Sequence, residues 1–251
     1  MIICKDLNRK NALLTLKDWE NECPPQGKGL HWKEGRSAME TAKHWLYVVP
    51  IEFRDILRCF HLEYELCSPE YVTKFDKYLG NGRNHDLLIL AKDNLDKNVI
   101  ISVESKVDEP FDKTIGTYLK EIKQKKAKGE NSNADKRIDE LRRAIFPKVK
   151  QAVFESLKYQ LLTAVAGSLA EAHNQKATIA IFLVQTFISS NMDSQKHRQN
   201  QRDLDVFIEV ISNGKHRIVH DNDLFGPFTF PGNLYIPHDV QLWIGKYSIK
   251  I

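Results

Sequence analysis

Two acidic residues and a lysine stand at positions where the sequence could bring them together. Asp86 opens a short apolar run, and Glu104 and Lys106 close the next one along the chain. Both runs are rich in aliphatic and β-branched residues, which predicts two neighbouring strands. If these strands form a hairpin centred on Leu95, Asp86 lies directly opposite Glu104. Lys106 shares their face of the sheet, because side chains alternate along a strand with a period of two.

This trio suits metal-assisted hydrolysis. Two carboxylates a few Å apart repel each other, and their pairing is costly unless a cation lies between them. Oxygen ligands favour a hard ion, so the expected cofactor is Mg²⁺ (or Mn²⁺), bound by Asp86 and Glu104. Such an ion polarises a phosphodiester and lowers the pKa of a bound water. Lys106 would orient that water or stabilise the charge that develops on the phosphate, so all three residues are candidate catalytic groups.

A simpler interpretation of the trio stays open. Glu-x-Lys alone is a weak pattern, and Glu121 and Lys123 repeat it without a preceding strand or a partner aspartate. Charged residues at strand ends also form ordinary surface ion pairs. The predicted site therefore depends on the strand context, the hairpin register and the upstream aspartate together.

The trio needs helices and strands to position it, and the sequence predicts both. Ser37 and Glu40 have the spacing of a capping box, which predicts a helix over 37–48. Apolar residues at helical spacing predict further helices over 51–60, 135–145, 148–173 and 199–211. Strands are predicted over 71–75, 86–91, 99–103 and 177–187, with short ones over 216–220, 226–230, 234–236 and 240–244. The polar, Lys-rich residues 112–134 are predicted to be a mobile loop.

The order of these elements predicts one α/β domain over residues 1–251, a three-layer sandwich around a mixed sheet. The inner strands are apolar enough to be buried on both faces, which requires helices above and below the sheet. Residues 1–35, with turn-forming residues such as Gly27, are predicted to cover the core irregularly. The core itself takes residues 36–190, and residues 191–251 add a helix and a small C-terminal β extension.

Composition excludes several classes of protein. The 251 residues include four Trp, eight Tyr and twelve Phe, with 12 Gly and 9 Pro, which is not the make-up of a disordered or collagen-like chain. No apolar run approaches the roughly 20 residues that span a bilayer, so no membrane partner is expected. The first ten residues turn charged at Lys5 and lack the apolar core of a signal peptide, which predicts a cytoplasmic location.

A net charge of +4 hides a local basic segment. Residues 120–150 hold eleven Lys or Arg and five Asp or Glu, a net charge of +6, so the rest of the chain carries −2. Such a segment can attract phosphates, and the candidate nucleic-acid-binding residues are Lys123, Lys125, Lys126, Arg142 and Arg143. The alternative is a solvated helical arm with no ligand.

Three stretches of sequence carry a resemblance to a known superfamily. Asp86 with Glu104-Ser105-Lys106 resembles the metal site of the PD-(D/E)XK nucleases, whose restriction-endonuclease-like core runs helix, three strands, helix, strand (αβββαβ). The chain is also similar to an uncharacterised bacterial family with SA-x-E-x-A-x-x-W, E-G-K-V-D-E-P-F and R-Y-Q-L-L motifs. The corresponding residues here are 37–45, 104–111 and 158–162, with Ser105 in place of Gly and Lys158 in place of Arg.

The resemblance implies a function and further site residues. It implies a metal-dependent endonuclease that hydrolyses DNA, with restriction or phage defence as candidate roles and a homodimer as a candidate form. It adds the Ser105 carbonyl and Glu70, which precedes the predicted first strand, as metal ligands, and Gln160 as a polar group aimed at the site from a helix.

Three alternatives to a nuclease stay open at this point. The same fold could serve as a non-catalytic module that binds nucleic acid or protein. It could be a metal-dependent hydrolase of a small phosphorylated molecule. The charged trio could also be only an ion pair in a structural protein.

Overall fold

One mixed sheet lies at the centre of the structure, a computed structural model that describes residues 1–8, 11–25, 29, 31–190 and 192–251. Its seven strands within these residues are β1 (Ile2–Ile3), β2 (Glu63–Thr73), β3 (Arg83–Lys92), β4 (Asn98–Lys106), β5 (Ile179–Ile188), β6 (Leu224–Phe228) and β7 (Gln241–Lys250). The strand order across the sheet is β1-β2-β3-β4-β5-β7-β6. Strands β2, β3 and β4 are antiparallel neighbours, whereas β5 runs parallel to both β4 and β7.

Helices cover both faces of this sheet. The described helices are α1 (Leu16–Glu22), α2 (Ser37–Trp45), α3 (Ile51–Ile56), α4 (Ile115–Ala127), α5 (Ala134–Ile145), α6 (Gln151–Ser156), α7 (Tyr159–Asn174) and α8 (Ser194–Ile211). Helices α1–α3 pack on one face and α4–α8 on the other, each with its own apolar core. The chain is therefore an α/β protein with a central mixed sheet between two helical layers. None of the described helices is long and apolar enough to span a membrane.

The predicted hairpin is present with the predicted register. Strands β3 and β4 pair Leu87 with Val103 and Leu90 with Ile100, so the hairpin is centred on residue 95. Side chains alternate between the two cores: Leu88 and Ile100 join the α4–α8 side, and Leu87 joins the α1–α3 side. This alternation fixes the register, because a slip of one residue would move every apolar side chain to the wrong face. Asp86 and Glu104 follow directly after the last pair.

The prediction of a mobile loop over 112–134 was wrong, because most of this segment is helix α4. Ile115 and Ile122 are buried, and Leu119 packs beside them at the spacing of a helical stripe. Thr114 caps the helix by accepting a hydrogen bond from the Thr117 amide. The lysines that suggested a loop occupy the solvent-exposed side, and only residues 128–133 connect α4 to α5.

The single helix predicted over 148–173 is also wrong, since the chain breaks between α6 and α7. Leu157 and Lys158 are extended there. The Ile115 amide donates to the Leu157 carbonyl, and the Tyr159 amide donates to the Lys113 carbonyl. The start of α4 thereby replaces the helical hydrogen bonds lost at the break, and α7 gains a separate N-terminus.

The predicted capping box of α2 does not form. Arg36 is the N-cap residue, and Ser37 is already helical, with its amide and hydroxyl both donating to Glu109. Glu40 instead accepts a hydrogen bond from the Gly35 amide. A contact distant in sequence therefore holds the start of this helix.

Both ends of the chain differ from prediction. Residues 1–35 include β1, which pairs with β2, and α1, while Gly27 lies outside the described residues. Residues 216–220 and 234–236 are not strands, and the predicted strand at 240–244 extends to form β7. Because β7 pairs with β5 along ten positions, it belongs to the central sheet rather than to a separate extension.

Candidate active site

Three neighbouring strands each contribute one carboxylate to the same cleft. Glu70 lies in β2, Asp86 in β3 and Glu104 in β4, and all three line a cleft of about 890 Å³ together with Lys106 and Gln160. The predicted catalytic residues are thus close together. Glu70 lies inside β2, not before the first strand as predicted, and its φ of 50° is unusual for a residue with a side chain.

Glu104 is the most completely bonded of the three carboxylates. Its side chain is only 2% exposed. Its Oε1 accepts from the Lys106 ammonium at 2.7 Å and from the Gln160 amide at 2.6 Å. Its Oε2 accepts from the Arg83 guanidinium. Burial alone would raise the pKa of Glu104, but Lys106 and Arg83 outweigh burial, so the pKa lies below its ordinary value.

Asp86 and Glu70 lack comparable compensation. Asp86 Oδ2 accepts from the Ser105 amide at 2.7 Å, and Glu70 Oε2 accepts from the Asn84 amide group at 2.5 Å. Burial, followed by repulsion from Glu104, raises the pKa of Asp86 to about 7. Burial, followed by repulsion from Asp86, raises the pKa of Glu70 to about 8. The positive charge near Asp86 and Glu70 is therefore not enough to offset their burial and mutual repulsion.

Arg83 is a site residue that the sequence interpretation missed. It lies in β3, three positions before Asp86, lines the cleft and is 8% exposed. The strand was predicted to begin at Asp86, which left Arg83 outside it. Simple alternation would also put Arg83, three positions away, on the face opposite Asp86, so no local signal placed this cation beside the acids.

A buried polar network holds the end of β4 from the opposite face. Ser105 Oγ accepts from the Gln185 amide at 3.0 Å, and Gln185 Oε1 in turn accepts from the Trp45 indole at 2.8 Å and the Tyr247 hydroxyl at 2.5 Å. Just beyond β4, the Ser37 amide donates to Glu109 at 3.1 Å. The segments 37–45 and 104–111, which carry the resemblance, are therefore in direct contact.

The oxygen atoms of Glu70, Asp86 and Glu104 are the kind of ligand that a hard cation prefers. The three carboxylates are not, however, arranged around a common point where such a cation would bind. No three His, Cys, Asp or Glu side chains in the described parts of the chain are arranged to hold a metal ion. Glu104 instead contacts Lys106, Arg83 and Gln160. Yet three carboxylates share the cleft with these two cations, and two of the acids have pKa values raised by burial and mutual repulsion. A divalent cation would relieve that repulsion.

The five basic residues predicted to bind nucleic acid lie outside the cleft. Lys123 and Lys125 are exposed on α4. Lys126 pairs with Asp135, and Arg143 pairs with Asp139, both on the surface. Arg142 has a structural role, because it donates to the Val149 carbonyl and lies 5.7 Å from the Phe154 ring centre.

A stacked pair of tyrosines in the cleft was also missed. Tyr118 of α4 and Tyr159 of α7 stack with ring centres 4.6 Å apart and planes 24° apart. Both line the cleft, and Tyr159 is the neighbour of Gln160. Tyr159 stood on the predicted helix over 148–173, but the erroneous loop gave its partner Tyr118 no position.

Comparison with known proteins gives one match. No curated protein and no solved structure matches the chain significantly. A family model described as a domain of unknown function, DUF6946, matches residues 12–250. That span includes both helical layers, six of the seven strands and every residue of the cleft. The chain therefore belongs to the DUF6946 family.

Proposed function

We propose that this chain is a divalent-metal-dependent nuclease of the PD-(D/E)XK type, hydrolysing DNA phosphodiester bonds. One observation carries the proposal: the carboxylates of Glu70, Asp86 and Glu104, from three adjacent strands, meet Lys106 and Gln160 in one cleft. Acids that repel each other around a buried lysine are a costly arrangement for a merely structural strand end.

The element order supports the restriction-endonuclease-like fold. Helix α3, strands β2, β3 and β4, helix α7 and strand β5 follow one another in the αβββαβ order that the resemblance implies. Helices α4–α6 are inserted between β4 and α7. Residue Gln160 lies in the first turn of α7 and contacts Glu104, which is the position that the resemblance assigns to a helical polar group.

Residues of three strands would hold the cation. We assign Asp86, Glu104, the Ser105 carbonyl and Glu70 as its ligands, with Mg²⁺ or Mn²⁺ as the ion that these oxygen donors favour. The ion would polarise the phosphodiester and lower the pKa of a water molecule. Glu104 would have to give up one of its present partners, and Arg83 is the partner that holds Oε2.

Lys106 and Gln160 have distinct roles in the proposed reaction. Lys106 lies 2.7 Å from Glu104, so its ammonium group is beside the proposed ligands and would orient the attacking water or stabilise charge on the phosphate. Gln160 donates from the fixed start of α7 and would hold the orientation of the Glu104 carboxylate.

The charge of the cleft supports a requirement for metal. Its walls carry five acidic residues, Glu70, Asp86, Glu104, Glu109 and Asp112, against three basic ones, Arg83, Lys106 and Arg137. With all five acids ionised the cleft would repel a phosphate group unless a cation accompanied it, and a bound cation would itself draw the protons from Asp86 and Glu70. We therefore expect no cleavage in the presence of a chelator.

Cleavage by a matched pair of lysine variants tests the proposal. The purified chain is incubated with DNA and Mg²⁺ or Mn²⁺, and Lys106→Ala is expected to lower the rate at least about 100-fold. Lys246→Ala is the control, because Lys246 is equally buried on the same face of the sheet but does not line the cleft. Absence of cleavage by the parent, or equal rates for the parent and Lys106→Ala, would refute the proposal.

A non-catalytic nucleic-acid-binding module is the second candidate, and one observation favours it. Both oxygens of Glu104 are already bonded, so the carboxylate is satisfied without any metal. This candidate predicts no heat of Mn²⁺ binding in calorimetry and no metal-dependent cleavage. A measurable heat that is lost in Asp86→Asn would reject it. The roles in restriction or phage defence and the homodimer remain predictions of the resemblance.

A further inference from the structure

We infer that the cleft takes an unpaired nucleic-acid strand, with one base stacked on Tyr118 beside the candidate catalytic residues. This inference rests on the proposed function, because it names the form of the substrate at the same site. It would distinguish a nuclease for single strands, flaps or frayed ends from one that acts on an intact duplex.

An aromatic wall is built next to the candidate catalytic residues. Tyr118 and Tyr159 already stack at 4.6 Å, and a base that followed Tyr118 would continue the stack. Tyr159 is fixed at the start of α7, one position before the Gln160 that contacts Glu104. A base on this wall would therefore lie close to a phosphate bound near Glu104. Stacking on an aromatic side chain is worth about 1–3 kcal/mol per base and tolerates any sequence.

The surroundings of the aromatic pair are held in place before any ligand binds. Arg137 of α5 pairs with Asp76, donates to the Asn81 carbonyl and lies 5.2 Å from the Phe75 ring centre. Arg137 also hydrogen-bonds to Tyr159, so these contacts fasten the β2–β3 connection and α5 beside the stacked rings. Little ordering would be needed on binding, which lowers the entropic cost of association.

Polar groups without charge complete the lining of the cleft. Asn81, Asn131, Ser132 and Asn133 line it together with Asn84. Amide and hydroxyl groups can both donate to and accept from the edge of an unpaired base.

An intact duplex fits these features poorly. In a duplex the base faces are stacked on one another, so aromatic rings can stack only on a base that has left the helix. A duplex also carries one negative charge per about 1.7 Å of its axis, about twice the density of one strand, and the cleft offers only Arg83, Lys106 and Arg137 against it. At the rim, Leu79 is 96% exposed and offers an apolar side chain of the kind that separates stacked bases.

The inference is tested with a set of short fluorescent DNA strands, each lacking the base at one position (an abasic scan). Affinity is measured by fluorescence anisotropy, with Ca²⁺ in place of Mg²⁺ so that the strand is bound but not cleaved. The single strand is expected to bind at least tenfold tighter than the same strand in a duplex. Removing one particular base should weaken binding by about tenfold, and Tyr118→Leu should lose both this sensitivity and a similar factor in affinity. Tyr118→Phe, which keeps the ring, should behave as the parent does.

Tyr47→Leu is the matched control, because Tyr47 is 77% exposed and does not line the cleft. A flat abasic scan of the parent, equal affinity for strand and duplex, or a folded Tyr118→Leu that keeps the base sensitivity would overturn the inference. If Tyr118→Leu is unfolded, the abasic scan of the parent alone tests the inference: one sensitive position supports it, and a flat scan refutes it. Metal-dependent cleavage with a flat scan would refute this inference but not the nuclease; base-sensitive binding without cleavage would refute only the nuclease.

Discussion

The cleft and the pair of helices α4 and α5, here called the basic arm, use charge in opposite ways. In the cleft, Glu104 and its two cations are at most about one-tenth exposed, and their pairing shifts the pKa of the carboxyl. In the basic arm, the Lys126–Asp135 and Arg143–Asp139 pairs are largely exposed. Exposed pairs contribute little because water screens them, whereas breaking a buried pair leaves an uncompensated charge.

This contrast shows that density of charge in the sequence is a poor guide to where the chemistry lies. The segment 120–150 has the most visible charge of the chain, yet none of its five predicted binding residues lines the cleft. Its contribution to the cleft comes instead from the polar connection at 131–133 and from Ala134 and Arg137 of α5. Four predictions follow from comparing these two regions.

The largest expected effect is on stability when a charge is removed from each region. Glu104→Ala leaves Arg83 and Lys106 buried without their partner, and we expect a loss of about 3–5 kcal/mol in the free energy of unfolding. Asp135→Ala in the basic arm should cost less than about 1 kcal/mol, because its partner Lys126 stays solvated. Urea denaturation of both variants measures the difference. Equal losses would remove the distinction between the two regions.

The second prediction concerns pH and the two acids with raised pKa values. The folded chain holds protons on Asp86 up to about pH 7 and on Glu70 up to about pH 8, whereas the unfolded chain releases them near pH 4. Between these limits the folded state binds more protons, so its stability falls as the pH rises. In chelator-treated protein, the free energy of unfolding of the parent should decrease between pH 5 and 8. In Asp86→Asn this decrease should be smaller by about 3 kcal/mol.

The exposed Asp96, at the far end of the hairpin, supplies the control for this measurement, and Asp96→Asn should keep the parental pH dependence. Addition of Mn²⁺ should stabilise the parent more at pH 8 than at pH 5, since protons compete with the cation for the same oxygens. A pH dependence that is the same in Asp86→Asn and the parent would contradict the assigned pKa values.

A third, smaller effect separates two adjacent arginines of the basic arm. Arg142→Ala should cost about 1–2 kcal/mol of stability, because Arg142 covers Phe154 and donates to a backbone carbonyl. Arg143→Ala should cost less than about 0.5 kcal/mol, since its pair with Asp139 is exposed. Thermal denaturation compares the two variants. If Arg143→Ala were the more damaging change, the structural role given to Arg142 would be wrong.

The smallest expected effect is on the salt dependence of nucleic-acid binding. If the basic arm contacts phosphates beyond the cleft, Lys123→Ala and Lys125→Ala should each lower the slope of log affinity against log salt by about 1. Lys97→Ala, at the distant hairpin turn, is the control and should leave the slope unchanged. Unchanged slopes for all three variants would show that Lys123 and Lys125 do not contact phosphates and that the basic arm is only a solvated surface.

The parts of the fold set by local pattern were predictable from the sequence, and the parts set by distant pairing were not. The register that brings Asp86 and Glu104 together follows from the alternation of aliphatic residues around Leu95. The position of β7 beside β5 depends on a partner more than fifty residues away in the chain, which no local signal reports. The predicted capping box of α2 fails for the same reason, because Ser37 donates instead to Glu109 from across the fold.

Within the candidate site, errors of a few residues in element boundaries concealed whole contacts. Beginning β3 three residues late removed Arg83 from consideration, and treating α4 as a loop removed Tyr118. Asp86, Glu104 and Lys106 were found because their spacing places them on one face, whereas Glu70 was found only through the resemblance. Whether those residues act on a metal and a phosphodiester stays a prediction that the experiments above address.

The place of β7 in the sheet has a consequence for how the protein matures on the ribosome. Tyr247 of this strand donates to Gln185, which supports Ser105 at the end of β4. Because β7 follows the other strands of the described sheet in chain order, the support behind the candidate site is completed only after every cleft residue has been synthesised. Pairing that is so distant in sequence forms slowly. We therefore expect the nascent chain to acquire its cleft late, so any cleavage activity would begin only after synthesis of the sheet is complete.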